Sequence, residues 1–139
     1  MSEKINWTTN VQVLQGPKIS AIQTVPVEAY DKIEVVIPGG EEGSPEEATV
    51  EVQPGDLGDI KLLLISSDQY SSKLTYTVKD SGGTEGATDV ELDSLQVLVG
   101  KGAVGLLGVT PVTMEFSNGM GTDKNATITI LVGRMAVSS

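Results

Sequence analysis

The sequence predicts an all-β fold, either an antiparallel β-sandwich or a jelly-roll-like barrel of about eight strands. Apolar and polar residues alternate with period 2 in many segments, and helical periodicity is nearly absent. Turns rich in glycine and proline separate these segments. The 139 residues suffice for one core but are short for two, so we expect a single domain over residues 1–139.

The predicted strands follow one another along the whole chain. Residues 10–15 and 18–27 give one or two strands, which Pro17 and Pro26 confine to edges or ends because proline cannot donate to a ladder. The other alternating segments are 33–37, 48–53, 73–79, 95–99, 112–117 and 126–132. Residues 60–65 are apolar on both faces, which predicts a central strand covered on both sides or an interface strand, with a short helix as the alternative.

Two loops differ from ordinary turns. Residues 38–47, PGGEEGSPEE, form an acidic segment without an apolar anchor, so we expect a flexible loop. Residues 100–108 form a glycine-rich apolar loop. We expect Val104, Leu106 and Leu107 to be exposed there. The residues predicted to contact a partner are Leu98, Val104, Leu106, Leu107 and Val109.

The composition excludes several classes of function. The chain has no histidine and no cysteine, so the commonest catalytic triads, zinc and haem sites and redox pairs are excluded. Its net charge of −10 disfavours nucleic acid and anionic membranes as partners. The start, MSEKINWTTN, lacks the apolar region of a secretory signal, which predicts cytoplasmic synthesis. We expect no cofactor.

Asp80-Ser81-Gly82 is the sharpest catalytic candidate. It resembles the active-site turn of the retroviral-type aspartic proteases, and the resemblance implies a dimer in which two Asp80 carboxylates share a proton and activate water. Residues 100–105 and 130–134 match that family's glycine-rich flap and late apolar-Gly-Arg segment. However, Lys79 precedes Asp80 and would hold its carboxylate charged. The same residues also form an ordinary hairpin turn.

Two other binding motifs are incomplete. Residues 100–105 match the dinucleotide pattern G-x-G-x-x-G, but Gly108 and Pro111 prevent the long helix that this motif requires. Asp56, Asp59 and Asp123 are possible calcium ligands without a recognisable ligand frame. A calcium- or carbohydrate-binding β-sandwich is therefore an alternative, although aromatic residues for stacking on sugars are scarce.

The leading hypothesis is a non-enzymatic structural or interaction module. We expect it to assemble with copies of itself or to dock on another protein, as virion and assembly subunits do. Trp7 is either a minor core residue or a docking anchor. The alternative is a dimeric aspartic-protease-like hydrolase that uses Asp80.

Overall fold

The computed structural model describes residues 3–53 and 58–136, and these residues form ten strands. The strands are β1 (Glu3–Gln12), β2 (Lys18–Val27), β3 (Ala29–Ile37), β4 (Glu46–Glu51), β5 (Gly58–Ser67), β6 (Leu74–Lys79), β7 (Val90–Glu91), β8 (Gln96–Val99), β9 (Thr113–Asn118) and β10 (Ala126–Ala136). A short helix α1 (Lys101–Val104) and one 3₁₀ turn (Gly105–Leu107) follow β8. The all-β prediction is confirmed.

Eight of these strands form two four-stranded antiparallel sheets. Their orders are β3-β10-β5-β8 and β4-β9-β6-β7. The pairs β3–β10, β4–β9, β5–β8 and β6–β7 join strands that are progressively closer in sequence. The chain from β3 to β10 is therefore one long antiparallel ribbon that is folded into two sheets, which is the strand arrangement of a jelly roll.

The two sheets enclose one apolar core. Alternate residues of both sheets point into it, including Ile128 and Ile130 of β10 and Met114 and Phe116 of β9, all of which are fully buried. The rings of Tyr76 and Phe116 lie 5.7 Å apart. Period-2 alternation in the sequence thus corresponds to one face in this core and one face outside it.

Strand β5 is buried on both faces at its centre. Leu63 and Ile65 point into the core, whereas Leu62 is buried on the opposite face in a second apolar cluster. β10 and β8 flank it in the sheet. The prediction of a central strand covered on both sides is confirmed at Leu62 and Leu63.

The N-terminal part of the chain differs from the prediction. The structure pairs β1 with β2 along all ten residues of each strand, so the first strand begins at Glu3 and not at Asn10. We call this hairpin, residues 3–27, the arm. The expected start was too late because the polar residues between Ile5 and Val11 conceal an alternation that continues through Trp7 and Thr9.

The acidic segment 38–47 also differs from the predicted loop in its bounds. Its last two residues belong to β4, and hydrogen bonds hold Gly39 and Gly40. Gly40 donates its amide hydrogen to Asn118 O (3.0 Å) and accepts from Gly121 N (2.8 Å), and Glu42 forms an ion pair with Lys73 (3.2 Å). Its flexibility stays a prediction.

Candidate functional site

Asp80 organises its own hairpin turn. Its Oδ1 atom accepts hydrogen bonds from Gly82 N and Thr84 N, both at 2.9 Å, and its backbone carbonyl accepts from Gly83 N. This is an Asx-type turn, which the carboxylate of an aspartate stabilises without any catalytic role. The prediction that Asp80 acts in a protease dimer stays untested.

The neighbouring Lys79 is occupied by a different carboxylate. Its ammonium group forms an ion pair with Glu115 of β9. This hydrogen-bonded pair raises the pKa of Lys79. Lys79 therefore stays charged at neutral pH on the strand that leads into the Asp80 turn.

Two of the three calcium-ligand candidates, Asp59 and Asp123, lie in the part of the chain that the structure describes. Asp59 lines the same cavity of about 250 Å³ as Asp80, together with Gln53 and Thr110. Asp59 also pairs with Lys101 at 3.4 Å. Asp123 is exposed near the start of β10, and Asp56 lies outside the described residues. Among residues 3–53 and 58–136, no three acidic side chains are grouped closely enough to hold a metal ion.

The apolar segment 98–109 is largely part of the core, which corrects the expectation of an exposed loop. Val104 and Leu107 are buried, and Leu98 and Val109 are partly buried against the main core. Gly100, with φ of 95°, turns the chain into α1. The three-residue spacing of Val104 and Leu107 then places both on one side of two short helical turns.

Leu106 is the exception among these five residues. It lies on the outer side of the 3₁₀ turn and is 80% exposed. Gly108 and Pro111 exclude a long helix but not the four-residue helix α1, and this short helix was not predicted from the sequence.

The arm carries a large apolar surface that the sequence reasoning did not identify. Directly opposed residues of an antiparallel pair share a face of the hairpin. One face therefore carries mostly apolar side chains: Ile5, Trp7, Val11, Ile19, Ala21, Val25 and Val27. The other face is mainly polar, and Asn6 and Asn10 accept hydrogen bonds there from Thr24 and Ser20.

Only the base of the arm packs on the jelly roll. Val25 and Val27 are buried with Leu62, and Ile5 is partly buried against them. The contact is close because Gly133 of β10 has no side chain: a Cβ atom there would lie 2.7 Å from Ile5 Cδ1. Glycine at position 133 thus lets the arm approach the outer face of the sheet.

The distal half of the arm is exposed on its apolar face. Val11 is 56% and Ile19 is 68% exposed, and Leu14 at the tip is 92% exposed. Trp7, between base and tip, is half-buried and belongs to neither apolar cluster of the described residues. Of the two roles that the sequence left open for Trp7, that of a minor core residue is therefore not supported.

A signal for the arm was present in the sequence. Apolar residues at alternate positions precede the turn at Gly16-Pro17 and recur at alternate positions after it, which is the mirror pattern of a hairpin. What the sequence could not show is that only the base of the hairpin is covered.

Neither helical segment of the described residues is long and apolar enough to cross a lipid bilayer. Comparisons with protein-family models, curated proteins and solved structures each find no match to this chain.

Proposed function

We propose that this protein is a non-enzymatic structural subunit that assembles with copies of itself, and that the arm is the contact element. The observation that carries the proposal is the amphipathic arm, whose apolar face is buried at the base and exposed from Val11 to Ile19. An apolar surface of this kind on a projecting element is typical of a protein interface.

The charge distribution supports a second copy as the partner. The arm contains Glu3, Lys4 and Lys18 and has a net charge of +1. The rest of the chain, which we call the body, has 18 acidic and 7 basic residues and a net charge of −11. Contacts between two acidic bodies are therefore repulsive, but a contact between an arm and a body is not. The arm is the part of the chain that can approach another copy without this repulsion.

The jelly roll by itself does not distinguish between functions, since this fold serves both in viral capsids and in lectins. Assembly is favoured because exposed apolar side chains are concentrated on the arm, at Val11, Val13, Leu14 and Ile19. Self-assembly also agrees with the absence of histidine and cysteine, because packing surfaces need no reactive group.

The test compares three proteins by native mass spectrometry and light scattering. We expect the unmodified chain to form oligomers at roughly tens of micromolar, which corresponds to a modest association free energy. The double variant Val11→Asn/Ile19→Asn removes two apolar side chains from the apolar face and should be monomeric.

The matched control is Ile22→Asn. Ile22 is also strongly exposed on the arm, but it lies on the polar face. This variant should assemble like the unmodified chain. A monomeric unmodified chain, or equal assembly of all three proteins, would overturn the proposal.

A further inference from the structure

We infer that the arm of one copy docks on the outer face of the β3-β10-β5-β8 sheet of a second copy, along an apolar strip that this chain's own arm leaves partly open. The strip consists of Leu64 on β5, Val97 on β8 and Leu131 on β10, and we call it the outer strip. This inference rests on the proposed function and adds the docking site and the symmetry of the contact.

The strand register places these three side chains in one row. Leu131 lies opposite Leu64, and Leu64 lies opposite Val97, so all three point to the same face. Leu64 faces away from the core because its neighbours Leu63 and Ile65 point into it. The strip therefore crosses three adjacent strands on the outer face of the sheet.

The neighbouring rows show where the cover by the arm ends. The row on one side contains Gly133 and Leu62, which are buried, and the base of the arm packs there because Val25 and Val27 form one apolar cluster with Leu62. The row on the other side is polar and contains Glu34, Thr129 and Ser66. The outer strip between them is half-buried, so its apolar surface is only partly covered.

The arm of the same copy does not cover the rest of the strip. Its ladder pairs ten residues of β1 with ten of β2 without a register shift, so the two strands form one continuous ribbon. Every residue from Asn10 to Thr24 is exposed, so this part of the ribbon does not pack on the strip.

A second copy of the arm matches the strip in chemistry and in size. The contact at the base already shows that aliphatic residues of the arm pack against aliphatic residues of this sheet face. Strands lie about 4.8 Å apart, so the strip extends about 10 Å across its three strands and is wide enough for the two strands of an arm, which span about 5 Å. The net charges of +1 and −11 favour the approach.

The contact is heterologous because the surface on the arm and the surface on the sheet are different. Each copy therefore offers one arm and one strip, and assembly continues until a ring closes or a filament forms. A contact between two arms would instead be self-complementary and would not need the strip. Because only the arm-to-strip contact requires an intact strip, the inference is testable separately from assembly itself.

The experiment uses a strip variant, Leu64→Thr/Leu131→Thr, beside the arm variant Val11→Asn/Ile19→Asn. Threonine keeps a high β-propensity while it reduces the apolar surface. We expect each variant alone to associate more weakly by about tenfold or more. A mixture of the two should form a 1:1 complex, because one supplies an intact arm and the other an intact strip.

The matched control is Val36→Thr, which changes an exposed aliphatic residue on the same sheet face beyond the polar row. It should assemble normally. Circular dichroism verifies folding, and if the double strip variant does not fold, Val97→Thr on the short edge strand β8 decides the question in its place.

The outcomes separate the two proposals. If the arm variant is monomeric but the strip variants assemble like the unmodified chain, the docking site is wrong while self-assembly through the arm stands. If the mixture gives no 1:1 complex, the head-to-tail contact is wrong. If the unmodified chain is monomeric, both proposals fail.

Discussion

The jelly roll and the arm have the same sequence pattern but different surroundings. In β9 and β10, alternate aliphatic and aromatic residues are fully buried between two sheets. In β1 and β2, alternate apolar residues form an equally regular face, but beyond the base of the arm that face is exposed. Alternation thus predicts a strand with an apolar face, and it does not predict what covers that face.

The difference implies that stability resides in the jelly roll and association in the arm. Burial of an aliphatic or aromatic side chain contributes about 1.5–3 kcal/mol, and this contribution is already realised in the folded monomer for the core. For the distal arm it becomes available only when a partner covers the side chains. The following changes separate the two contributions.

The largest effect is expected for Phe116→Ala in the core. Phe116 is fully buried and its ring packs against Tyr76, so the change leaves a cavity between the sheets. We expect the free energy of unfolding to fall by about 3–5 kcal/mol. Urea denaturation measures it, and a loss below about 1 kcal/mol would mean that the core is not packed as described.

A somewhat smaller decrease in the free energy of unfolding is expected for Asn118→Ala. The buried amide of Asn118 donates to Ile37 O (3.1 Å) and Lys124 O (2.8 Å) and accepts from Met120 N (3.0 Å), which joins two loops at one end of the body. Leaving these backbone groups without a partner should cost about 2–3 kcal/mol.

Asn125→Ala is the control for Asn118→Ala. Asn125 is exposed, and its side chain accepts one hydrogen bond from Gly39 N. The free energy of unfolding of Asn125→Ala should decrease by about 1 kcal/mol or less, because water replaces the lost hydrogen bond. Equal losses for the two variants in chemical denaturation would contradict the joining role of Asn118.

The core also predicts a dependence on alkaline pH. Burial raises the pKa of Tyr76 to about 12, and its hydroxyl donates to Gln96 Oε1 at 2.6 Å. Between pH 10 and 12 the folded state keeps a proton that the unfolded chain loses. The free energy of unfolding should therefore decrease as pH rises through this window, by at most about 1.4 kcal/mol per pH unit.

Tyr76→Phe should flatten this decrease, which denaturation at pH 9, 10 and 11 would show. The raised pKa of Lys79 acts in the same direction, but it is unaffected by the substitution. If the free energy of unfolding of Tyr76→Phe decreased with pH as steeply as that of the unmodified chain, Tyr76 would be excluded as the source of the decrease. The arm contains no tyrosine, so its truncation should leave the slope as it is.

The boundary between the two regions lies at Gly133. In Gly133→Ala, the new Cβ atom would lie 2.7 Å from Ile5 Cδ1 and 3.0 Å from Val27 Cγ1, which are both side-chain ends of the arm. We expect the arm base to move while the sheet remains intact, at a cost of about 1 kcal/mol. Hydrogen exchange should increase in β1 and β2 and stay unchanged in β9.

The sequence was sufficient for the fold class because inward-facing residues of a sandwich must alternate. It also predicted that β5 is a central strand covered on both sides or an interface strand, since residues 62–65 are apolar at consecutive positions. It failed for Val104 and Leu107, because their burial depends on a short helix that stacks on the end of the body. The exposure of the arm's apolar face also depends on where the body lies, and a local sequence pattern contains no information about that position.

The smallest expected effect is that of Ile19→Thr on the stability of the monomer. Ile19 is 68% exposed, so the substitution removes almost no buried apolar surface, and threonine suits a strand. The free energy of unfolding, measured at a concentration low enough to exclude association, should change by no more than about 0.5 kcal/mol. At high concentration the same variant should show a lower Tm than the unmodified chain, because only the latter gains stability from association. A large loss already in the monomer would mean that the body covers Ile19, and the comparison between arm and jelly roll would then be wrong.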